Sequence, residues 1–201
     1  MQTLSRFVMI LALSLATASR AADKPASPRG TAAMQLGGKA EGAGWKGGSW
    51  VEVDYGRPLL RGRSGVFADD GKAINDAPVW RLGANESTRL RTEVPLTVGG
   101  KKVPVGDYAA FVELKDGAWT LVLSTQPTRG PADPRGTPGK IWGSYGYDAK
   151  FDVVRAPMTV GKSEVSVEQL TLGFVDVTAT GGKLQIAWDK TVATVPLALA
   201  Q

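Results

Sequence analysis

Tyr108-Ala109-Ala110-Phe111-Val112-Glu113-Leu114, then Lys115-Asp116-Gly117, then Trp119-Thr120-Leu121-Val122-Leu123 after one alanine, decides the fold. Two β-rich apolar runs flank an Asp-Gly pair, the dipeptide that accepts the positive φ angles of a tight hairpin turn. Outward from this hairpin the period of two recurs. Val51, Val53 and Tyr55 share one face of Trp50–Tyr55, and Leu90 and Val94 alternate with the charges of Arg89–Val94. Such alternation is the mark of half-buried strands. Leu170 to Val177 and Lys183 to Trp188 read as another strand pair, with Leu170, Leu172 and Phe174 aligned in one and Leu184, Ile186 and Trp188 in the other. Gly99-Gly100 and Gly181-Gly182 mark further turns. A last strand over Thr191–Leu197 belongs on a sheet edge, because Pro196 cannot donate to a ladder. Ser163–Gln169 offers at most a helical turn, and no segment carries a 3.6-residue apolar stripe. About eight to ten short strands separated by turns predict an all-β fold, a single antiparallel β-sandwich of jelly-roll or Greek-key type.

The chain opens with Arg6, an apolar run from Phe7 to Leu15, and small residues up to Ala21. That order predicts a secretory signal over residues 1–21, cleaved after Ala21, since the run falls short of the roughly 20 residues that cross a bilayer. No arginine adjoins Arg6, which leaves a twin-arginine signal unsupported, and without cysteine there is no lipid-modified cleavage site. No later stretch is apolar enough to span a membrane. The expectation is therefore a periplasmic or secreted protein. Residues 22–48 form a flexible leader with a first strand and a Gly-rich loop, Gly37–Gly48, and residues 49–201 the sandwich, all one domain. Gln126–Lys140 holds four prolines and three glycines. A loop of that length inside a compact domain is either functional or mobile.

Composition closes several mechanisms. Neither histidine nor cysteine occurs, which removes Ser-His-Asp catalysis, imidazole acid–base chemistry, the usual zinc and copper sites, and disulfide staples. No loop has calcium-binding spacing, so neither a metal nor a cofactor is expected. The 24 basic residues, less Arg6 and Arg20 of the signal, face 19 acidic ones, a scattered net of +3. Nucleic-acid binders carry a concentrated basic stripe instead.

Two polar clusters remain. One is Arg57, Arg61 and Arg63, three arginines in seven residues where a strand ends at Pro58. The other is Val79-Trp80-Arg81-Leu82-Gly83-Ala84-Asn85-Glu86-Ser87-Thr88, a non-periodic, turn-like run mixing an aromatic, a guanidinium, a carboxamide and a carboxylate. Guanidinium forks suit carboxylates and phosphates, so clusters meeting at one end of a sandwich would bind an anionic or sugar-like ligand. The structural alternative has Arg57 or Arg81 pairing with Glu86 and with backbone carbonyls to tie down a loop. Of six tryptophans, Trp119 and Trp188 have the phase of core residues, whereas Trp45, Trp80 and Trp142 sit in loops and are candidates for exposure.

The blocks SPRGTAAMQLGG (27–38), VEVDYGRPLLRGR (51–63), VWRLGANESTRL (79–90), VGGKKVPVGDYAAF (98–111), WTLVLS (119–124) and WGSYGYDAKFDVVR (142–155) resemble a bacterial family known only as domain of unknown function 2911. The sequence departs from that pattern in its glycine-rich expansion before Trp50 and its proline-rich expansion before Trp142. The resemblance implies an exported β-sandwich-like domain and brings no activity or catalytic residue with it. The functional expectation is a non-enzymatic module of the cell envelope that binds a small ligand, a glycan or a protein through the two clusters. One alternative is an envelope polysaccharide hydrolase, which would need paired carboxylates such as Asp54 and Glu86 to converge at about 5–10 Å; another is a purely structural module.

Overall fold

The computed structural model describes residues 26–74, 77–130, 132–133 and 136–201. The signal expected over 1–21 and the first residues of the leader lie outside these. Six strands open the chain order: β1 Arg29–Leu36, β2 Lys39–Glu41, β3 Gly44–Lys46, β4 Ser49–Gly56, β5 Thr88–Thr92 and β6 Leu96–Val98. Six more follow: β7 Lys101–Val103, β8 Gly106–Lys115, β9 Ala118–Ser124, β10 Asp152–Pro157, β11 Thr159–Thr178 and β12 Gly181–Leu199. One sheet has the order β1-β4-β5-β8-β9-β10 and the other β11-β12-β6-β7, with β2-β3 a separate ribbon. All pairings between these strands are antiparallel. The sheets do not close into a barrel, and the architecture is the expected all-β sandwich.

Alternation places the core. Val51, Val53 and Tyr55 of β4, Leu90 of β5, Leu121 and Leu123 of β9 meet Leu170, Leu172, Leu184, Ile186 and Val195 of the facing sheet, all buried. The central hairpin turns at Asp116 (φ 51) and Gly117 (φ 73), as its sequence requires. β8 is unusual in being apolar on both faces. Its outward Ala109 and Phe111, with Val79 and Val122, form a second small core covered by Ile141 and Tyr147. The proline-rich segment is what brings that cover into place: Ile141 N donates to Pro127 O and Arg129 N to Ile141 O, each at 3.0 Å. At its two ends this long connection is thus a second layer on the six-stranded sheet.

Four local expectations are corrected. Gly37–Gly48 contains the β2-β3 ribbon, possible because Gly42 (φ 61) supplies the turn between Glu41 and Gly44. Ser163–Gln169 is extended within β11, with register shifts against β12 taking up the extra residues. The Thr191–Leu197 segment is interior, between β11 and β6; Pro196 is tolerated because pairing with β11 stops at Thr159 and Thr194. Gly181 and Gly182 lie inside β12, past a turn made by Ala179 and Thr180. β12 carries a positive φ at Asp189 and its end returns to its start, Leu199 N donating to Thr180 O at 2.8 Å. A Cβ on Gly181 would stand 2.5 Å from Leu197 O, so that closure requires glycine.

Candidate functional site

The stretch 79–88 is anchored at both ends. Beyond Ala110 the β5 side of β8 is taken over by Trp80, which exchanges both backbone hydrogen bonds with Val112 at 2.7 and 2.9 Å. A strand-like Trp80 points inward and is buried, which corrects the expectation that it is exposed. Its indole is stacked on that of Trp188 and meets Phe67 edge-on. Between the anchors the chain turns sharply through Leu82 (φ 53) and Asn85 (φ 66). Asparagine tolerates that conformation, but for leucine it stores strain that the surroundings must hold. Two contacts hold it. Thr88 Oγ1 donates to Leu82 O at 2.9 Å, and Gly56 lies so close that a Cβ there would come 2.1 Å from Ala84 O. The glycines of the DYG and LGAN stretches are thus two halves of one backbone contact.

A cavity of about 430 Å³ opens at this end of the sandwich, with Arg63, Lys72, Trp80, Arg81, Asn85, Tyr145 and Trp188 on its wall. Arg63 lies over the Trp188 ring at 5.6 Å and Arg81 over Tyr145 at 5.1 Å, distances at which the ring faces attract a guanidinium. Backbone carbonyls fix both cations: Arg63 donates to Leu59 O and Leu60 O, Arg81 to Asn85 O. Arg81 also lies flat against Gly143, where a Cβ would come 2.8 Å from its Nη1.

A second cavity, of about 300 Å³, lies on the outer face of the six-stranded sheet. Register sets Asp54 opposite Arg89 and Glu52 opposite Arg91, so acids of one strand face bases of the next. Arg29 bridges Asp54 and Glu86. Arg89 and Arg91 share Asp107 at 2.8 and 3.7 Å. Nearby, Tyr147 donates to Asp152 Oδ2 at 2.6 Å, and Arg155 joins Asp152 to Glu113. Burial and the adjoining carboxylate push the Tyr147 hydroxyl far above the ordinary tyrosine range, so this network is a neutral-donor clamp under the second layer.

The residues singled out in the sequence therefore divide. Arg63, Trp80, Arg81 and Asn85 share the first cavity and Glu86 lines the second. Arg57 is structural: it covers Gly30 and donates to Leu170 O of the facing sheet at 3.3 Å. Arg61 is exposed and away from both cavities, its guanidinium donating to Ala26 O at 3.4 Å and its backbone N–H held by Glu168. Glu86 pairs with Arg29, and the ion pairs of the described residues include none between Glu86 and Arg57 or Arg81. Asp54 and Glu86 do share one cavity. Trp45 is exposed, Trp142 half-buried, and Trp119 and Trp188 are core residues. Sequence reasoning missed Lys72, Tyr145 and Trp188 as cavity residues, and Arg29 as the link between the two acids. Only Trp188, the last inward residue of an aligned strand, carried a positional signal. Among the described residues no three acidic side chains gather as metal ligands, and no helix is long and apolar enough to cross a membrane.

A family model described as a protein of unknown function, DUF2911, matches residues 39–197. The chain belongs to the DUF2911 family. No curated protein and no solved structure shows a significant match. Within this DUF2911 chain the VWRLGANESTRL block serves both cavities, sending Trp80, Arg81 and Asn85 to one and Glu86 and Arg89 to the other.

Proposed function

We propose that this DUF2911 protein is an exported, non-enzymatic binding module of the cell envelope, and that the cavity between Arg63, Arg81 and Trp188 is its ligand site. The observation that carries the reading is convergence: residues from four separated stretches, 58–63, 72–74, 80–85 and the turn at Tyr145, meet Trp188 of β12 around one open cavity. Concave sites with an aromatic floor and a few fixed polar groups are the usual form of a small-molecule site. Strain at Leu82 supports it, since conformations of this kind cluster at ligand clamps. Export rests on the amino-terminal pattern of residues 1–21 and accords with a chain free of cysteine.

The test is a binding screen of small acids and sugars on the folded mature protein, read by tryptophan fluorescence and melting temperature. Arg81→Ala should abolish the response to any hit while Glu86→Gln keeps it. Retained binding in Arg81→Ala would move the ligand elsewhere. Cell fractionation with amino-terminal sequencing tests export, the expected first residue being Ala22.

The hydrolase reading gains one observation, the shared cavity of Asp54 and Glu86. It is weakened by another, because both carboxylates are engaged by the same Arg29 guanidinium and neither is left to protonate a glycosidic oxygen. Turnover of an envelope polysaccharide that disappears in Glu86→Gln would restore it.

A further inference from the structure

The two cavities differ in how their charge is balanced. On the sheet face four arginines, Arg29, Arg89, Arg91 and Arg129, are matched in number by four carboxylates, Glu52, Asp54, Glu86 and Asp107, although Arg129 itself forms no ion pair among the described residues. At the sandwich end Arg63, Lys72 and Arg81 form no ion pair with any described residue, and no described acidic side chain stands on the wall. Three cations that no described acid matches, converging on one concavity, focus a positive potential into it.

From this imbalance we infer that the site takes a small organic polyanion, carrying two or more carboxylate or phosphate groups, rather than a neutral sugar. The inference rests on the binding-module reading. Donor chemistry argues the same way. Guanidinium and ammonium groups only donate, whereas a sugar hydroxyl needs an acceptor as well as a donor; carboxylates and phosphates only accept. Arg63 and Arg81 are held over Trp188 and Tyr145 and fixed by carbonyls, so their forks are set before a ligand arrives. The size, about 430 Å³, fits an organic body better than a single tetrahedral oxyanion. Lys72, exposed and without an ion pair among the described residues, supplies the third charge on the wall.

Calorimetry on the folded mature protein decides this, with benzene-1,3,5-tricarboxylate, citrate, fructose 1,6-bisphosphate, inorganic phosphate and glucose as probes. The expected result is binding of the organic polyanions, weakened at least about fivefold from 50 to 300 mM NaCl by screening. Lys72→Gln, at an exposed residue, should weaken the best probe about tenfold at unchanged melting temperature; Arg63→Gln should weaken it as much but also lower the melting temperature, because the hydrogen bonds to Leu59 O and Leu60 O go with it. Tricarboxylate against fructose 1,6-bisphosphate separates a carboxylate from a phosphate source. Glucose binding as tightly as the anions, without salt dependence, would overturn the polyanion assignment and leave the binding module standing. Anion binding that ignores both substitutions would also overturn it. Silence from every probe on folded protein would remove both readings.

Discussion

Trp80 and Trp188 belong to opposite sheets, yet their indole planes lie 9° apart with centroids 6.3 Å from each other. Phe67 closes the group, tilted against Trp119 at 4.5 Å and edge-on to Trp188 at 5.9 Å. The floor of the candidate ligand site is therefore also the joint between the sheets, so ligand occupancy and stability share the same side chains.

Trp80→Ala should cost about 3–5 kcal/mol, the usual range for emptying a buried aromatic site. The measurement is urea unfolding followed by circular dichroism. Trp45→Ala, at a residue that is 57% exposed, should change the midpoint little. Equal effects would mean that the stacked pair does not join the sheets.

Gly56 and Gly173 give a second contrast. A Cβ on Gly56 would collide with backbone, Ala84 O at 2.1 Å, whereas one on Gly173 meets nothing within 4 Å and needs no positive φ. Gly56→Ala should therefore force the 82–86 turn away, costing about 2 kcal/mol or more and impairing any ligand response through Arg81. Gly173→Ala should be neutral or slightly stabilising, by up to about 1 kcal/mol, through the unfolded chain. Thermal melts of the two variants side by side are sufficient.

Arg29→Gln would leave Asp54 and Glu86 without their shared cation. The Glu86 side chain is only 13% exposed, so an unmatched carboxylate there should lower stability by about 1–2 kcal/mol at neutral pH, less in high salt. Adding Glu86→Gln to Arg29→Gln should recover part of the loss. A cycle showing no coupling would reduce the bridge to a surface contact.

Strands were legible where one face is buried and the other wet, as in Val51-Glu52-Val53-Asp54-Tyr55, because burial itself imposes the period of two. They were illegible where that condition fails. β11 over Thr159–Val167 is largely exposed on both faces and shows no alternation. Pro196 misled for a related reason: a proline reports a missing donor, not which neighbour has stopped pairing. At the site, Arg81 and Asn85 were visible because their block broke the period. Lys72 and Tyr145 were not, since only the second layer and the turn after Phe67 bring them across the opening. Trp80 reads as a loop residue in the sequence because its single bridge to Val112 is too short to leave a pattern.

The Tyr147 clamp yields a prediction in pH. Burial first, then the hydrogen bond to Asp152, raises the Tyr147 hydroxyl well above its ordinary value of about 10. The folded protein therefore keeps that proton at a pH where the unfolded chain has released it, and stability must fall as pH rises from about 10 upward. Below that value the contribution is fully present. Ultraviolet titration should show a tyrosinate that appears only as the protein unfolds, and melting temperature should decline in the same alkaline window. Tyr147→Phe should flatten the decline while lowering stability at pH 7, because Asp152 and Arg155 lose their shared donor and acceptor. Tyr108, also raised by burial, contributes a smaller slope of the same sign that the variant retains. An unchanged alkaline slope in Tyr147→Phe would show that this hydroxyl ionises freely and that the second layer is not fastened there.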